Sequence, residues 1–82
     1  MRLVYLAKVR EAIGLDGEER DVAAGTSISE LVDSLAAQGS RYALAFAERS
    51  KLRFALDQHM VPADAVLDGA GELAIFPPVT GG

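Results

Sequence analysis

The 82 residues contain no cysteine. That excludes disulfides, thiolate metal ligands, a nucleophilic thiol, and any thioester or persulfide carried on a side chain. Sulfur chemistry, if this chain performs any, must use another group. Tryptophan is also absent, and histidine occurs once, as His59 in a turn-like stretch. A lone histidine without cysteine gives no zinc site, and no metal is expected. The five serines include none in G-x-S-x-G, and any triad would have to rest on His59. A serine hydrolase therefore has no support.

Positive charge is scarce as well. Eight Lys and Arg face twelve Asp and Glu, for a net charge of −4. The cations are scattered along the chain, so a nucleic-acid partner is not expected. No apolar run is long enough to span a bilayer, and Met1-Arg2 leads directly into an alternating pattern without a signal-like segment. A cytoplasmic protein without a membrane partner is the expectation. Gly69-Ala70-Gly71 lacks a following lysine and precedes a strand-like run, so it reads as a turn and not as a phosphate loop. Glu18-Glu19 and the acids from Asp64 to Asp68 read as solvated loop charges.

What is present is a globular composition, 50% hydrophobic and 24% charged, sized for one domain over 1–82. Arg2 to Val9 alternates as a strand, with Leu3, Tyr5, Ala7 and Val9 on one face. Gly14 to Gly17 supplies a turn, and Glu18 to Ala23 returns as a second strand. Ser27-Ile28-Ser29-Glu30 is a capping box. After it, Ile28, Leu31, Val32, Leu35 and Ala36 form one apolar helical stripe, and Gly39 is placed to end that helix in the left-handed conformation. Tyr42 to Glu48 predicts a short second helix. Leu52 to Asp57 predicts a third strand, turning through Asp57-Gln58-His59 into Met60-Val61. Glu72 to Phe76 closes the sheet, with Leu73 and Ile75 on one face. The first and last strands are both apolar on two faces, so they are expected to pair in the middle. A main helix across one face of a mixed sheet is an α+β architecture, the β-grasp or ubiquitin-like fold.

The last stretch carries the functional reading. Pro77 and Pro78 remove two backbone donors and fix φ, so the sheet ends and residues 77–82 leave as an extended, flexible tail. Gly81 and Gly82 have no Cβ, leaving the terminal carboxylate unhindered. Such an end is either a frayed terminus or a working group. In the second reading Gly82 is activated by adenylation for attack by a nucleophile. Pro77, Pro78, Val79, Thr80 and Gly81 then thread it through a narrow channel of another protein. If a helix covers the Leu3, Tyr5, Leu73 and Ile75 face, Leu6 and Phe76 point away from it, with Met60 near them. They form an expected partner-binding patch at the tail exit.

Phe76-Pro77-Pro78-Val79-Thr80-Gly81-Gly82 resembles the terminal signature of the small, sulfur-carrying subunits of molybdopterin synthase, which are ubiquitin-like sulfur carriers. Val4-Tyr5-Leu6-Ala7-Lys8-Val9-Arg10-Glu11, the capped helix and Tyr42-Ala43-Leu44-Ala45 extend the resemblance over the whole chain. It departs at Asp57, where the family usually has Asn, and at Gly69-Ala70-Gly71-Glu72, where it has a Gly-Asp-Glu turn. The resemblance implies no bound cofactor; an E1-like adenylyltransferase spends ATP on the Gly82 carboxylate, and a sulfur donor protein converts it to a thiocarboxylate. The tail then enters the large synthase subunit, in a heterotetramer of two small and two large chains. There the sulfur passes to precursor Z (cyclic pyranopterin monophosphate) to build the molybdopterin dithiolene. Catalysis belongs to the large subunit, and the small chain alone is a carrier. The residues also leave open a carrier for thiamine thiazole synthesis, a ubiquitin-like modifier of lysines, and a non-covalent interaction module.

Overall fold

The apolar runs near the two ends of the chain meet at the centre of one sheet. The computed structural model describes residues 1–69 and 71–78. Its strands are β1 (Arg2–Tyr5), β2 (Gly17–Glu19), β3 (Arg53–Leu56), β4 (His59–Val61) and β5 (Glu72–Phe76), in the spatial order β2-β1-β5-β3-β4. β1 and β5 run parallel, in the register Leu3↔Leu73 and Tyr5↔Ile75, while every other pair is antiparallel. Those four side chains are fully buried. A parallel pair needs a covering crossover between its strands, and the helices supply it. The result is the α+β, β-grasp arrangement that the apolar pattern predicts.

Helix α2 (Ile28–Ala36) begins at the predicted capping box. The Ser27 hydroxyl accepts from the Glu30 amide at 3.1 Å, and the Ser27 amide donates to the Glu30 carboxylate at 2.9 Å. Ile28, Leu31, Val32 and Leu35 place its apolar stripe in the same core as Leu3, Tyr5, Leu73 and Ile75. β3 and β4 join through Asp57 and Gln58, at φ 49° and 71°. Two successive left-handed residues match the twist of a tight hairpin, where the sequence predicts the turn.

Four expectations are corrected. The first strand stops at Tyr5 instead of Val9, and Ala7–Ile13 is a helix, α1. Val9 fits both the alternating set and the helical set Val9, Ala12, Ile13, so periodicity alone misassigns it. The switch occurs at Ala7, whose φ of 52° breaks the strand. Left-handed Gly14 caps α1, its N–H donating to the Arg10 carbonyl at 2.8 Å. β2 ends at Glu19 instead of Ala23, since its partner β1 begins at Arg2, opposite Glu19. Gly39 is not a left-handed helix end. α2 closes at right-handed Ala37, and Gly39, extended at φ 170°, is the N-cap of α3 (Ser40–Ala45).

The fourth correction concerns Glu18, which is not a solvated loop charge. In the β1–β2 register it lies opposite Leu3 and turns to the core side. There it accepts from the Tyr5 hydroxyl at 2.8 Å, the Tyr42 hydroxyl at 2.6 Å and Arg20 Nε at 2.9 Å. Arg20 also donates to Tyr42 and Gln38, and its guanidinium lies 5.7 Å from the Tyr42 ring centre. One carboxylate thus ties β1 and β2 to α3. Burial pushes the Glu18 carboxyl upward, but the hydrogen bonds from Tyr42, Tyr5 and Arg20, with the Arg20 charge, outweigh it and hold it below its ordinary value of 4.5. Burial and Glu18 push the Tyr5 phenol well up.

A lowered folded-state carboxylate contributes stability above its unfolded pKa and loses it as pH falls through the folded value. Stability is therefore expected to fall below about pH 4.5, with Glu18 as a contributor. Glu18→Gln should flatten that acid limb in a melting-temperature series. At neutral pH it should cost about 1–3 kcal/mol, because an amide cannot accept from all three donors. An unchanged acid limb would remove Glu18 from this role.

Candidate functional site at the C-terminal exit

β5 delivers the chain to its exit. Ile75 faces the core, and its carbonyl accepts from the Leu6 amide at 3.2 Å, extending the β1–β5 pairing one residue past β1. Phe76 and Ala74 lie on the opposite sheet face, Phe76 facing Arg53 of β3. Pro77 and Pro78 then leave the sheet and form part of the wall of a surface groove of about 900 Å³. The other walls are α1, with Leu6 before it and then Ala7, Lys8, Val9 and Ala12, and the end of α3, with Leu44 and Ala45 and then Ala47 and Glu48 beyond it. A single 3-10 turn, Arg49–Lys51, closes the far side with Lys51 and Leu52.

The lining is predominantly apolar. Leu44 is 70% exposed and Leu6 44%, a large apolar area for a chain of this size to leave open. Isolated exposed apolar side chains need no explanation, but a contiguous set around an exit marks a contact surface.

Of the expected partner patch, Leu6 and Phe76 line this groove together, whereas Met60 does not. Met60 is 62% exposed on edge strand β4, opposite Ala55, which in turn lies opposite Ala74. It stands two strands from β5, roughly 10 Å at the usual strand spacing, on the same sheet face as Ala74 and Phe76. Ala55 and Ala74 lie between Met60 and Phe76 on that face, with Arg53 of β3 opposite Phe76. Of the expected threading residues, Pro77 and Pro78 lie at the groove, while Val79, Thr80, Gly81 and Gly82 lie outside the described residues.

Sequence reasoning missed the α1 wall, and it predicted the α3 helix over Tyr42 to Glu48 without its place at the groove. The Val9–Ala12–Ile13 spacing followed by Gly14 was the signal for α1, but Val9 fits the alternating set equally. Leu44, a large apolar residue among alanines in a short helix, was the signal for the other wall. His59 is exposed in the β3–β4 hairpin, its ring nitrogen 3.0 Å from the Asp57 carbonyl. Among the described residues no group of three or more His, Asp or Glu is arranged to hold a metal ion. No helix among them is long and apolar enough to cross a membrane.

Comparison with known proteins bears on the fold and the family. Residues 3–82 match the model of the ThiS family. The molybdopterin synthase sulfur carrier subunit of Escherichia coli (strain K12) is 42% identical over 83 residues, covering 100% of this chain and 99% of that one. Its counterpart in Haemophilus influenzae is 37% identical over 84 residues, with the same coverage. Small archaeal modifier protein 1 of Haloferax volcanii has the same fold, with a TM-score of 0.74 at 19% identity over 96% of this chain and 97% of that one.

Proposed function

The chain belongs to the ThiS family, and from that premise we propose that it is the sulfur carrier subunit of a molybdopterin synthase. The observation that carries the proposal is 42% identity over the whole chain to a molybdopterin synthase sulfur carrier subunit, in a chain without cysteine. Sulfur then travels on the terminus. The Gly82 carboxylate attacks the α-phosphorus of ATP on an E1-like adenylyltransferase and displaces pyrophosphate. A sulfide-level donor attacks the resulting acyl carbon, AMP leaves, and a thiocarboxylate remains. In the large synthase subunit the thiocarboxylate sulfur attacks a carbon of precursor Z and displaces an oxygen substituent, and water then cleaves the acyl–sulfur bond and restores the carboxylate. Two rounds complete the dithiolene.

The described residues supply the delivery. Phe76 and Leu6 seat the chain against its partner, and Pro77-Pro78 stiffen the first step of the tail so that fewer conformers must be lost on insertion. Met60 extends the contact across the sheet face, and the assembled enzyme is a heterotetramer of two small and two large chains in the cytoplasm.

Intact mass of the protein isolated from cells making molybdenum enzymes tests this. Exchange of one terminal oxygen for sulfur is the expected species. Higher-mass conjugates to other proteins would favour a lysine modifier, and an unmodified chain would refute the proposal. Phe76→Ala is expected to weaken binding to the large subunit about tenfold or more, as loss of a central aromatic anchor does. Titration calorimetry measures this, and unchanged affinity would remove Phe76 from the interface.

A further inference from the structure

The groove at the exit has the opposite sign to the rest of the molecule. The chain contains two lysines, Lys8 and Lys51, and both line it; of the twelve Asp and Glu, Glu48 alone does. Lys51 pairs with Glu48 at 3.0 Å, with both side chains about two-thirds exposed or more. Lys8 has no ion-pair partner among the described residues. Arg53 adds a third cation opposite Phe76, its guanidinium fixed by donation to the Ser50 and Leu52 carbonyls at 3.0 and 2.9 Å. A chain of net charge −4 has thus placed its lysines where the apolar side chains are open and the tail departs.

Exposed cations around an apolar floor add little to folding. Their effect is on encounter and orientation: they attract carboxylates, repel cationic surfaces and set the angle of approach. We propose that the groove docks a partner segment in which apolar side chains are flanked by carboxylates, with Lys8 and Lys51 reading those carboxylates. The inference rests on the carrier reading, since the partner meant is the large subunit that receives the tail. It goes beyond that reading by assigning the partner surface its chemistry and these two lysines their role. The apolar contact supplies residence time, while the lysines raise the association rate and fix the tail's direction of entry.

The test is the affinity of the full-length chain for the recombinant large subunit, at low ionic strength and again at 1 M salt, where the Debye length is about 3 Å. The double variant Lys8→Gln/Lys51→Gln is expected to bind about fivefold to tenfold more weakly at low salt, with the difference falling below about twofold at high salt. Lys8→Arg/Lys51→Arg is expected to keep the wild-type affinity, which separates charge from shape. Both positions are exposed, so all variants should melt as the parent does. Equal affinity of the glutamine variant and the parent at low salt would overturn the proposal while leaving the carrier reading intact. A wild-type chain that does not bind the large subunit at all would overturn both. A salt-sensitive homodimer lost in the glutamine variant would assign the groove to a second copy and overturn the proposal as well.

Discussion

Deletion of Gly82 is expected to abolish sulfur transfer while leaving the melting temperature and large-subunit affinity within about twofold of the parent. Among the described residues the core that holds the fold together reaches Ile75, and the groove residues proposed to dock reach Pro78. The deletion leaves a carboxylate on Gly81, but one residue short, a displacement of about 3.3–3.6 Å. Reacting atoms must approach to about 3–3.5 Å, and a misplacement near 1 Å already costs about 10²-fold, so a full residue puts the carboxylate out of range of the activating enzyme. The expected readouts are no ATP-dependent pyrophosphate release and no thiocarboxylate in the intact mass. Retained sulfur transfer by the deletion variant would show that the terminus is not the carrier.

How far the sequence could be read depended on whether each signal was local. The capping box at Ser27 and Glu30 is complete within four residues, and the hairpin at Asp57-Gln58 is set by local turn chemistry, so both were legible. β1 and β5 were legible because each is apolar on two faces, which only a central position satisfies. α1 was not, because Val9 fits two periods at once and nothing in the residues announces a left-handed Ala7. Gly39 misled for a related reason: a glycine after a helix fits a left-handed end, but here it is extended and starts the next helix. Glu18 is the clearest case of information absent from local pattern. Its neighbours in sequence suggest a solvated loop, and only the folding of Tyr5, Arg20 and Tyr42 around it makes it a structural carboxylate. The same limit applies to the candidate site. The tail and the pair Leu6 and Phe76 could be named from sequence, but the groove is built by three segments that meet only in the fold.

The two neighbours at the end of β5 are expected to separate stability from binding. Ile75 is fully buried, lies between Tyr5 of β1 and Phe54 of β3, and belongs to the strand that joins both halves of the sheet. Ile75→Ala removes three buried carbons from a site whose neighbours are held by sheet hydrogen bonds and cannot collapse onto the space. Such substitutions cost about 2–5 kcal/mol. A domain of this length has about 4–12 kcal/mol in total, at roughly 0.05–0.15 kcal/mol per residue. The variant should therefore melt roughly 8–40 °C lower, at about 4–8 °C per kcal/mol. Phe76 points the other way and is half-buried at the groove, so Phe76→Ala should shift the melting temperature far less while weakening the partner contact far more. Measured side by side by thermal denaturation and calorimetry, the adjacent substitutions should give opposite profiles. If Phe76→Ala instead unfolds the chain as readily as Ile75→Ala, Phe76 is a core residue and the exit groove is not the docking surface.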